Sequence, residues 1–194
     1  MTHKERPILF SGPMVRAILE GRKTQTRRIV KGVEFIGGRG DENDPSAWGY
    51  PYPDREGYAD LTDGIPCPYG KPGDRLWVRE TWQDWCPIWQ GAWCGCGSKE
   101  MAQNTHRPAY AATPDERCHP AKWRPSIHMP RWASRITLEV VSVRVERLQE
   151  ISNDDAIDEG TNGVDFFHDL WQSINGPGSW DANPWVWVVE FKRI

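Results

Sequence analysis

The sequence lacks the features that mark several large classes of proteins. It contains no run of about 18 consecutive apolar residues, so we predict no transmembrane helix. Residues 1–6 run into a strand-like segment without the apolar stretch of a secretion signal, and we therefore expect a cytoplasmic protein. Neither internal repeats nor low-complexity tracts are present. The length of 194 residues fits a single domain, 1–194, that carries insertions.

The sequence also has little net charge, although its charged residues are unevenly distributed. A net charge of −3 gives no global argument for nucleic-acid binding. Acidic residues concentrate in 41–63 and 150–169. The basic side chains cluster as Arg16, Arg22, Lys23, Arg27, Arg28 and Lys31 and again as Arg117, Lys122, Arg124, Arg131 and Arg135. Such clusters can form a positive cleft for an anionic ligand, and the alternative is two solvated charged faces.

Hydrophobic spacing and turn residues predict an α+β fold. The predicted strands cover 7–10, 29–30, 75–82, 133–148 and 184–191. The predicted helices run from Ser11 to Gly21, from Ser152 to Glu159 and over 166–174. A change of phase near Val141 predicts a bulge or tight turn. Residues 31–72 and 83–125 are expected to be two long insertions, mostly loop, on a small curved sheet or partly closed barrel.

Two short runs far apart in the sequence carry the chemistry that most narrows the function. Residues 21–28 (GRKTQTRR) present the Lys23 amine and the Thr26 hydroxyl within a basic patch. Residues 154–160 (DDAIDEG) present the Glu159 carboxylate at the end of a predicted helix. Amine, hydroxyl and carboxylate are the ingredients of an activated-nucleophile site, and the same groups could equally bind a nucleotide. Both interpretations require the two runs to meet at one pocket.

Arginine and tryptophan lie together in two further segments. In the predicted strand that begins at Arg75, alternation places Trp77 and Arg79 on the same face as Arg75, and Glu80 on the other. Residues 131–135 (RWASR) form a predicted loop that leads into a strand. An arginine beside a tryptophan suits base stacking and phosphate contact. The alternative is a salt-bridged rim over a core tryptophan.

Four of the five cysteines fall within the second predicted insertion. Cys86, Cys94, Cys96 and Cys118 could hold a tetrahedral zinc ion, with His119 as an alternative ligand. An insertion with little core of its own would gain stability from such a site. The spacing is not that of a standard zinc finger, and free, scattered cysteines are the alternative. A structural zinc ion is the one cofactor that the sequence suggests, and no organic cofactor is predicted.

Four sequence blocks, in order, resemble the ASCH family, whose members have a PUA-like fold. They are 21–27 (GRKTQTR), 71–78 (KPGDRLWV), 155–160 (DAIDEG) and 188–191 (VVEF), and the two insertions lie outside them. Residues 125–135 (PSIHMPRWASR) are similar to ASCH-related proteins of tailed phages and prophages. The resemblance implies a small PUA-like β-barrel with flanking helices and two long loop insertions.

The resemblance also implies binding of RNA or of a modified nucleoside, and one bacterial branch of the family removes the acetyl group from N(4)-acetylcytidine. By motif position, the reactive residues of that branch correspond to Lys23, Thr26 and Glu159. The first hypothesis is RNA or nucleoside binding in a basic, aromatic-lined cleft. The second is amide hydrolysis with Thr26 as nucleophile, Lys23 as its base and Glu159 as proton shuttle. The third is a phage accessory protein that binds a host protein in the host cytoplasm. For the first hypothesis, the predicted contacts are Arg22, Arg27, Arg28, Arg75, Trp77, Arg79, Arg131, Trp132, Ser134 and Arg135.

Overall fold

The computed structural model describes residues 3–36, 41, 44–51, 58–60, 67–85, 107–114 and 123–194. The strands in these ranges are β1 (Glu5–Leu9), β2 (Gln25–Ile29), β3 (Glu34–Phe35), β4 (Trp48–Pro51), β5 (Tyr58–Asp60), β6 (Arg75–Arg79), β7 (Trp82–Trp85), β8 (Arg107–Tyr110), β9 (Thr137–Arg147) and β10 (Trp185–Arg193). The α-helices in the same ranges are α1 (Gly12–Leu19), α2 (Asn153–Asp158) and α3 (Val164–Asn175). The predicted α+β class is therefore confirmed.

A five-stranded sheet forms the centre of the molecule. Its strand order is β1-β6-β9-β10-β2, in which β1 and β6 run parallel and every other neighbouring pair is antiparallel. The order ends at β1 on one side and β2 on the other, so in the described ranges the sheet is not a closed barrel. Those ranges also hold no helix with the length and hydropathy needed to cross a membrane.

Strand β9 contains the irregularity that its sequence predicts. Glu190 of β10 pairs with Ser142, whereas the next residue, Phe191, pairs with Val140. Val141 is therefore an extra residue on β9, which makes a β-bulge and reverses the faces on which the apolar side chains lie. The predicted change of phase is a bulge within one continuous strand of 11 residues, and no turn divides it.

Strand β10 contributes to two hydrophobic cores because both of its faces are buried. Trp187, Val189 and Phe191 pack with α1 and with the inner side chains of β6 and β9. Val186 and Val188 point to the other side, where they pack with Phe167, Trp171 and other residues of α2 and α3. A strand covered on both faces is expected to be a nearly continuous apolar run, as residues 185–189 are.

The first predicted insertion contains more regular structure than its sequence suggests. Strands β3, β4 and β5 form a small antiparallel sheet within the range predicted to be mostly loop. These strands have only two to four residues each, which is too short for an alternating pattern to emerge. In the described part of the second insertion, β7 and β8 pair as a two-stranded sheet.

Candidate functional site

The two chemistry-bearing runs of the sequence lie side by side, as predicted. Gly21 follows α1 with a φ of +77°, a left-handed conformation that ends the helix. The chain then turns so that Lys23 and Glu159 pair as an antiparallel bridge. The amide of Thr24 donates a hydrogen bond to the carbonyl of Asp158 at 2.8 Å. Backbone pairing thus fixes the end of α1 against the end of α2.

Gly160 makes this close approach possible. Its φ is +86°, and a Cβ atom at this position would lie 3.0 Å from the Cβ of Ala17 and 3.2 Å from the Cβ of Lys23. Both distances are shorter than ordinary van der Waals contacts, and the conformation itself disfavours residues with a side chain. Gly160, the last residue of the block 155–160, is therefore required for the close contact with Lys23 of the block 21–27.

Lys23 and Glu159 form a buried ion pair at the junction. Lys23 Nζ donates to Glu159 Oε2 at 2.6 Å and to the main-chain oxygen of Glu159 at 2.8 Å. The side chain of Lys23 is fully buried and that of Glu159 is 3% exposed. Because the pair lies away from water, each charge depends on the other for compensation.

The environment of Lys23 lowers the pKa of its amine. Burial lowers the pKa of the Lys23 amine, and the positive charges of Arg28 and Arg27 add to this effect. The carboxylate of Glu159 acts in the opposite direction, but it offsets the desolvation only in part. A lysine with a lowered pKa is the kind of amine that can accept a proton from a hydroxyl near neutral pH.

Arg27 connects this pair to two further carboxylates. Its buried guanidinium lies 3.2 Å from Glu146 Oε2, 3.2 Å from Asp155 Oδ2 and 3.6 Å from Glu159 Oε1. The contact with Glu159 is ionic only, because its Oε1 atom has no hydrogen-bond donor within the described part of the chain. This geometry favours a structural role for Arg27, which holds Glu159 in place, over the predicted contact with a ligand.

Asp155 joins α2 to the sheet. Its carboxylate accepts from Ser152 in the capping box of α2 and from Gln25 Nε2 at 2.8 Å. Burial alone would raise the pKa of Asp155, but the hydrogen bonds from Gln25 and Ser152 and the charge of Arg27 outweigh it and lower the pKa to about 2. Arg144 on β9 also binds this carboxylate, as well as Glu146 and Glu190.

We expect Asp155→Asn to weaken the dependence of protein stability on pH in the acid range. The pKa of Asp155 is lowered on folding, so the unfolded chain binds the proton more tightly, and the carboxylate stabilises the fold only above the unfolded pKa. That contribution is lost as the pH falls from 3.8 to about 2. Urea unfolding at a series of acid pH values measures it, with the exposed neighbour Asp154→Asn as control. Equal pH slopes for the wild type and Asp155→Asn would contradict the assignment.

A cavity of about 210 Å³ opens beside the ion pair. Its polar lining comes from β2 and its surroundings, and its apolar lining comes mainly from the face of α3 at positions 167, 170, 171 and 174. The lining residues are Met14, Thr26, Arg27, Arg28, Ile29, Lys31, Tyr69, Glu159, Phe167, Leu170, Trp171, Ile174 and Asn175. Cations, aromatic rings, a hydroxyl and a carboxylate thus border one space.

Of the predicted catalytic residues, Thr26 and Glu159 border the cavity directly. Lys23 lies behind Glu159, with its amine bonded to that residue. Arg28 also borders the cavity, and its guanidinium donates to the carbonyl of Leu9 at 2.6 Å. Arg22 does not border it, since its exposed side chain pairs with Glu20.

The remaining predicted contacts lie on a different part of the molecule. Arg75, Trp77, Arg79, Arg131, Trp132, Ser134 and Arg135 are absent from the lining of this cavity. Several of them have bonds within the protein. For example, Arg135 forms a two-pronged pair with the buried Glu80, and the Ser134 hydroxyl donates to the carbonyls of Val78 and Ile136. The sequence assigns all of the predicted contacts to one cleft, whereas the structure places them in two separate groups.

Several residues of the cavity were not predicted from the sequence as site residues. Tyr69, Phe167 and Trp171 supply its aromatic walls, and Lys31 adds a second cation to Arg28. The apolar face of the predicted helix at 166–174 is a signal for Phe167 and Trp171, because that face must cover something. Tyr69 has no comparable signal, since it follows Cys67 in a segment without periodicity.

The zinc prediction concerns residues outside the described ranges. Cys86, Cys94, Cys96, Cys118 and His119 all lie there, and the prediction stands as made. Within the described ranges, no group of three or more His, Cys, Asp or Glu residues is arranged to hold a metal ion. Cys67, which the sequence does not assign to the zinc site, is a buried free thiol whose pKa is raised by burial.

Comparisons with known proteins add no relative to this picture. No family model, no curated protein and no solved structure matches the chain. The resemblance to the ASCH family therefore rests on the four sequence blocks, and the function is inferred from the geometry of the cavity and of the ion pair beside it.

Proposed function

We propose that the cavity beside the Lys23–Glu159 pair binds RNA or a modified nucleoside by enclosing a single nucleoside unit. The observation that carries this proposal is that the sequence blocks 21–27 and 155–160 meet at one space that also has basic and aromatic walls. Thr26 and Glu159 provide hydrogen-bonding groups, and Tyr69 and Trp171 provide aromatic rings. This combination of a few polar groups in an otherwise apolar wall is typical of small-molecule sites.

The size of the cavity supports a ligand no larger than one nucleoside. Pockets for drug-sized ligands have volumes of about 300–1,000 Å³. A cavity of about 210 Å³ lies below that range. A nucleic-acid duplex cannot enter it, whereas one base and part of its sugar can. RNA would therefore be bound through a nucleotide whose base is turned out of the strand.

The charges around the cavity support a ligand that carries phosphate. Arg28 and Lys31 border it on the β2 side, and Arg28 is held by its hydrogen bond to Leu9. The carboxylates near Arg27 are paired with Arg27, Arg144 and Lys23, which compensates much of their negative charge within the protein. A guanidinium and an ammonium at the mouth of an aromatic cavity suit a nucleotide phosphate.

The proposal includes membership of the ASCH family and a PUA-like barrel. The support is that two blocks defined by sequence alone turn out to be neighbours in space, where a shared ligand site would require them to be. The antiparallel strands of the main sheet and the helices at its β2 side agree with such an architecture.

We expect Ile174→Trp to reduce nucleoside binding by roughly 10-fold or more, because the larger side chain occupies space at the cavity wall. Ile174 lines the cavity and is 53% exposed, so a larger side chain there need not disturb the core. Isothermal titration calorimetry with cytidine and with cytidine 5′-monophosphate measures the effect.

Ile157→Trp is the matched control for this experiment. Ile157 lies on α2, is 47% exposed and is not part of the cavity lining. If both variants bind the ligands as tightly as the wild type, the cavity is not the binding site. Failure of the wild type to bind either ligand at millimolar concentration would also contradict the proposal.

A second candidate function is hydrolysis of an N(4)-acylated cytidine-like nucleoside. The observation in its favour is the hydrogen bonding of Lys23. A neutral amine has two N–H groups and one lone pair, and its two acceptors are the side chain and the main-chain oxygen of Glu159. Its lone pair then remains available for a proton. Because its pKa is lowered, Lys23 gives up a proton to reach this neutral form more readily than an exposed lysine does.

The reaction would proceed through an ester on Thr26. The Thr26 hydroxyl gives its proton to Lys23 as its oxygen bonds to the acyl carbon, and the bond from that carbon to the exocyclic nitrogen breaks. The departing nitrogen takes up a proton relayed from Lys23 through Glu159. Water then cleaves the ester, releasing acetate and restoring the hydroxyl. This candidate is tested by incubating the protein with N(4)-acetylcytidine and measuring the released cytidine by chromatography.

A further inference from the structure

The outward side of β1 and β6 forms a second surface with its own chemistry. The parallel register aligns Pro7 with Trp77 and Leu9 with Arg79, so these side chains share a face. The alternate residues of β6, Leu76 and Val78, are buried on the inner side. We call this surface the β1–β6 face, and it consists of Glu5, Pro7, Leu9, Arg75, Trp77, Arg79 and the adjoining Arg131.

Trp77 lies at the centre of this face between two cations. The guanidinium of Arg79 is 5.3 Å from the centroid of its ring, and that of Arg131 is 6.0 Å from it. Arg131 also pairs with Glu5 at 2.9 Å. A tryptophan flanked by guanidinium groups presents both stacking area and positive charge, which suits bases joined by phosphates.

Cations outnumber carboxylates on the β1–β6 face and on the neighbouring strand. The register places Glu139 of β9 beside Arg75, and Glu139 pairs with Lys192 at 2.9 Å. This region therefore has two carboxylates, those of Glu5 and Glu139, and four cations, which are Arg75, Arg79, Arg131 and Lys192. This local excess of positive charge exists although the whole chain is acidic.

An exposed tryptophan extends the surface beyond the sheet. Arg79 donates to the carbonyls of Met129 and Ile127, which attaches the segment after residue 125 to the end of β6. Trp132 in this segment is 63% exposed, and its ring meets the buried Trp82 edge-on at 5.6 Å. A large ring that is fixed by packing and open to solvent is a platform on which a base can stack.

A hydrogen bond brings one end of this surface close to the cavity. The carbonyl of Leu9, at the end of the β1–β6 face, accepts the hydrogen bond from Arg28, which lines the cavity. Leu9 is also aligned with Arg79. Two arginines therefore flank Leu9, one on each side, and a chain of phosphates could pass from one to the other.

We infer that the β1–β6 face binds a single-stranded nucleic acid, one nucleotide of which enters the cavity. For the nucleotide in the cavity, the inference rests on the proposed function. For the rest of the nucleic acid, it rests on the residues of the β1–β6 face. Stacking on Trp132 and Trp77 requires unpaired bases, which excludes a duplex. An acidic peptide would match the arginines but would leave the two tryptophans without a role.

The test is fluorescence anisotropy with a labelled single-stranded RNA of about ten nucleotides, repeated with DNA of the same sequence and with duplex RNA. The combined change Arg75→Ala and Arg79→Ala is expected to weaken RNA binding about 10-fold and to reduce its salt dependence by about 0.7 for each lost phosphate contact. Trp132→Ala is expected to weaken it roughly 5-fold or more through lost stacking. Arg193→Ala, an exposed arginine bonded to Leu19 at the end of α1, is the control.

Tighter binding of either single strand than of the duplex supports the inference, and a preference for RNA over DNA would indicate contacts with the 2′-hydroxyl. Because Arg79 bonds to the segment after residue 125, thermal melts report whether its replacement disturbs the fold. If the replacement of Arg79 disturbs the fold, the test uses the single variants Trp132→Ala and Arg75→Ala. Unchanged RNA affinity in both of these variants overturns the inference. Poly-glutamate that displaces the RNA completely, and equally well from the wild type and from Trp132→Ala, also overturns it.

The β1–β6 face and the cavity can fail separately. If RNA binding depends on Trp132 and Arg75 but no nucleoside binds and Ile174→Trp has no effect, the β1–β6 face binds nucleic acid and the proposed function of the cavity is wrong. If a nucleoside binds in the cavity but the oligonucleotide binds no more tightly than the nucleoside, the cavity is a site for free nucleosides and the inference about the face is wrong.

Discussion

Glu159→Ala is expected to lower the free energy of unfolding by about 3–5 kcal/mol, the usual cost of removing one partner from a buried ion pair. The variant leaves the Lys23 ammonium without its carboxylate in a fully buried position. It also removes one of the three carboxylates around Arg27. Urea denaturation at neutral pH, followed by circular dichroism, measures the change.

Two controls separate loss of the pair from loss of the side chain. Glu20→Ala removes an exposed pair with Arg22, for which the expected change is within about 1 kcal/mol. The double variant Lys23→Met and Glu159→Leu is expected to be more stable than Glu159→Ala, because apolar side chains of similar size replace both charges. A cost below that of Glu20→Ala would show that the pair does not stabilise the fold.

Thr26→Val is expected to abolish deacylation of N(4)-acetylcytidine, with a loss of at least ~10³-fold in kcat/KM, if the threonine is the nucleophile. Valine has nearly the shape of threonine, so the wall of the cavity is kept. Nucleoside affinity is expected to fall by only about 2- to 10-fold, the usual effect of one lost hydrogen bond, because binding does not depend on a covalent step.

Thr26→Ser is the matched variant because it restores a hydroxyl at the same position. It is expected to recover part of the activity, whereas Thr26→Val is not. Hydrolysis by Thr26→Val at the wild-type rate would exclude Thr26 as the nucleophile. If the wild type binds the nucleoside but produces no cytidine, the hydrolytic candidate fails and the binding function stands.

The parts of the fold that could be predicted are those that depend on local sequence. Helix α1 begins after Ser11 with Pro13 in its first turn and ends before Gly21, and these residues act through their own backbone preferences. The capping box of Ser152 and Asp155 likewise starts α2 where predicted. Val141 could be recognised as a bulge because the alternation of buried residues on β9 changes there.

The parts that could not be predicted depend on partners far away in sequence. Arg27 lines the cavity, but no local pattern indicates that its buried side chain also lies beside Glu146 of β9 and beside Asp155 and Glu159 at α2. Alternation along β2 does not reveal which carboxylates face the strand. For the same reason the sequence assigned Arg28 and Arg79 to one cleft, whereas the structure places one at the cavity and the other on the β1–β6 face.

The position of β10 between β9 and β2 has a consequence for how the protein acquires its structure. Val189 pairs with both Thr26 and Val143, so β2 has no partner in the sheet until β10 has been synthesised. The wall of the cavity that carries Thr26 can therefore be assembled only after β10, which lies far along the chain from β2, is available for pairing. Pairings between such distant segments are slow to form, on the order of milliseconds to seconds in proteins of this kind. Until these pairings form, the apolar strand β10 lacks its cover, and exposed strands of this kind favour aggregation.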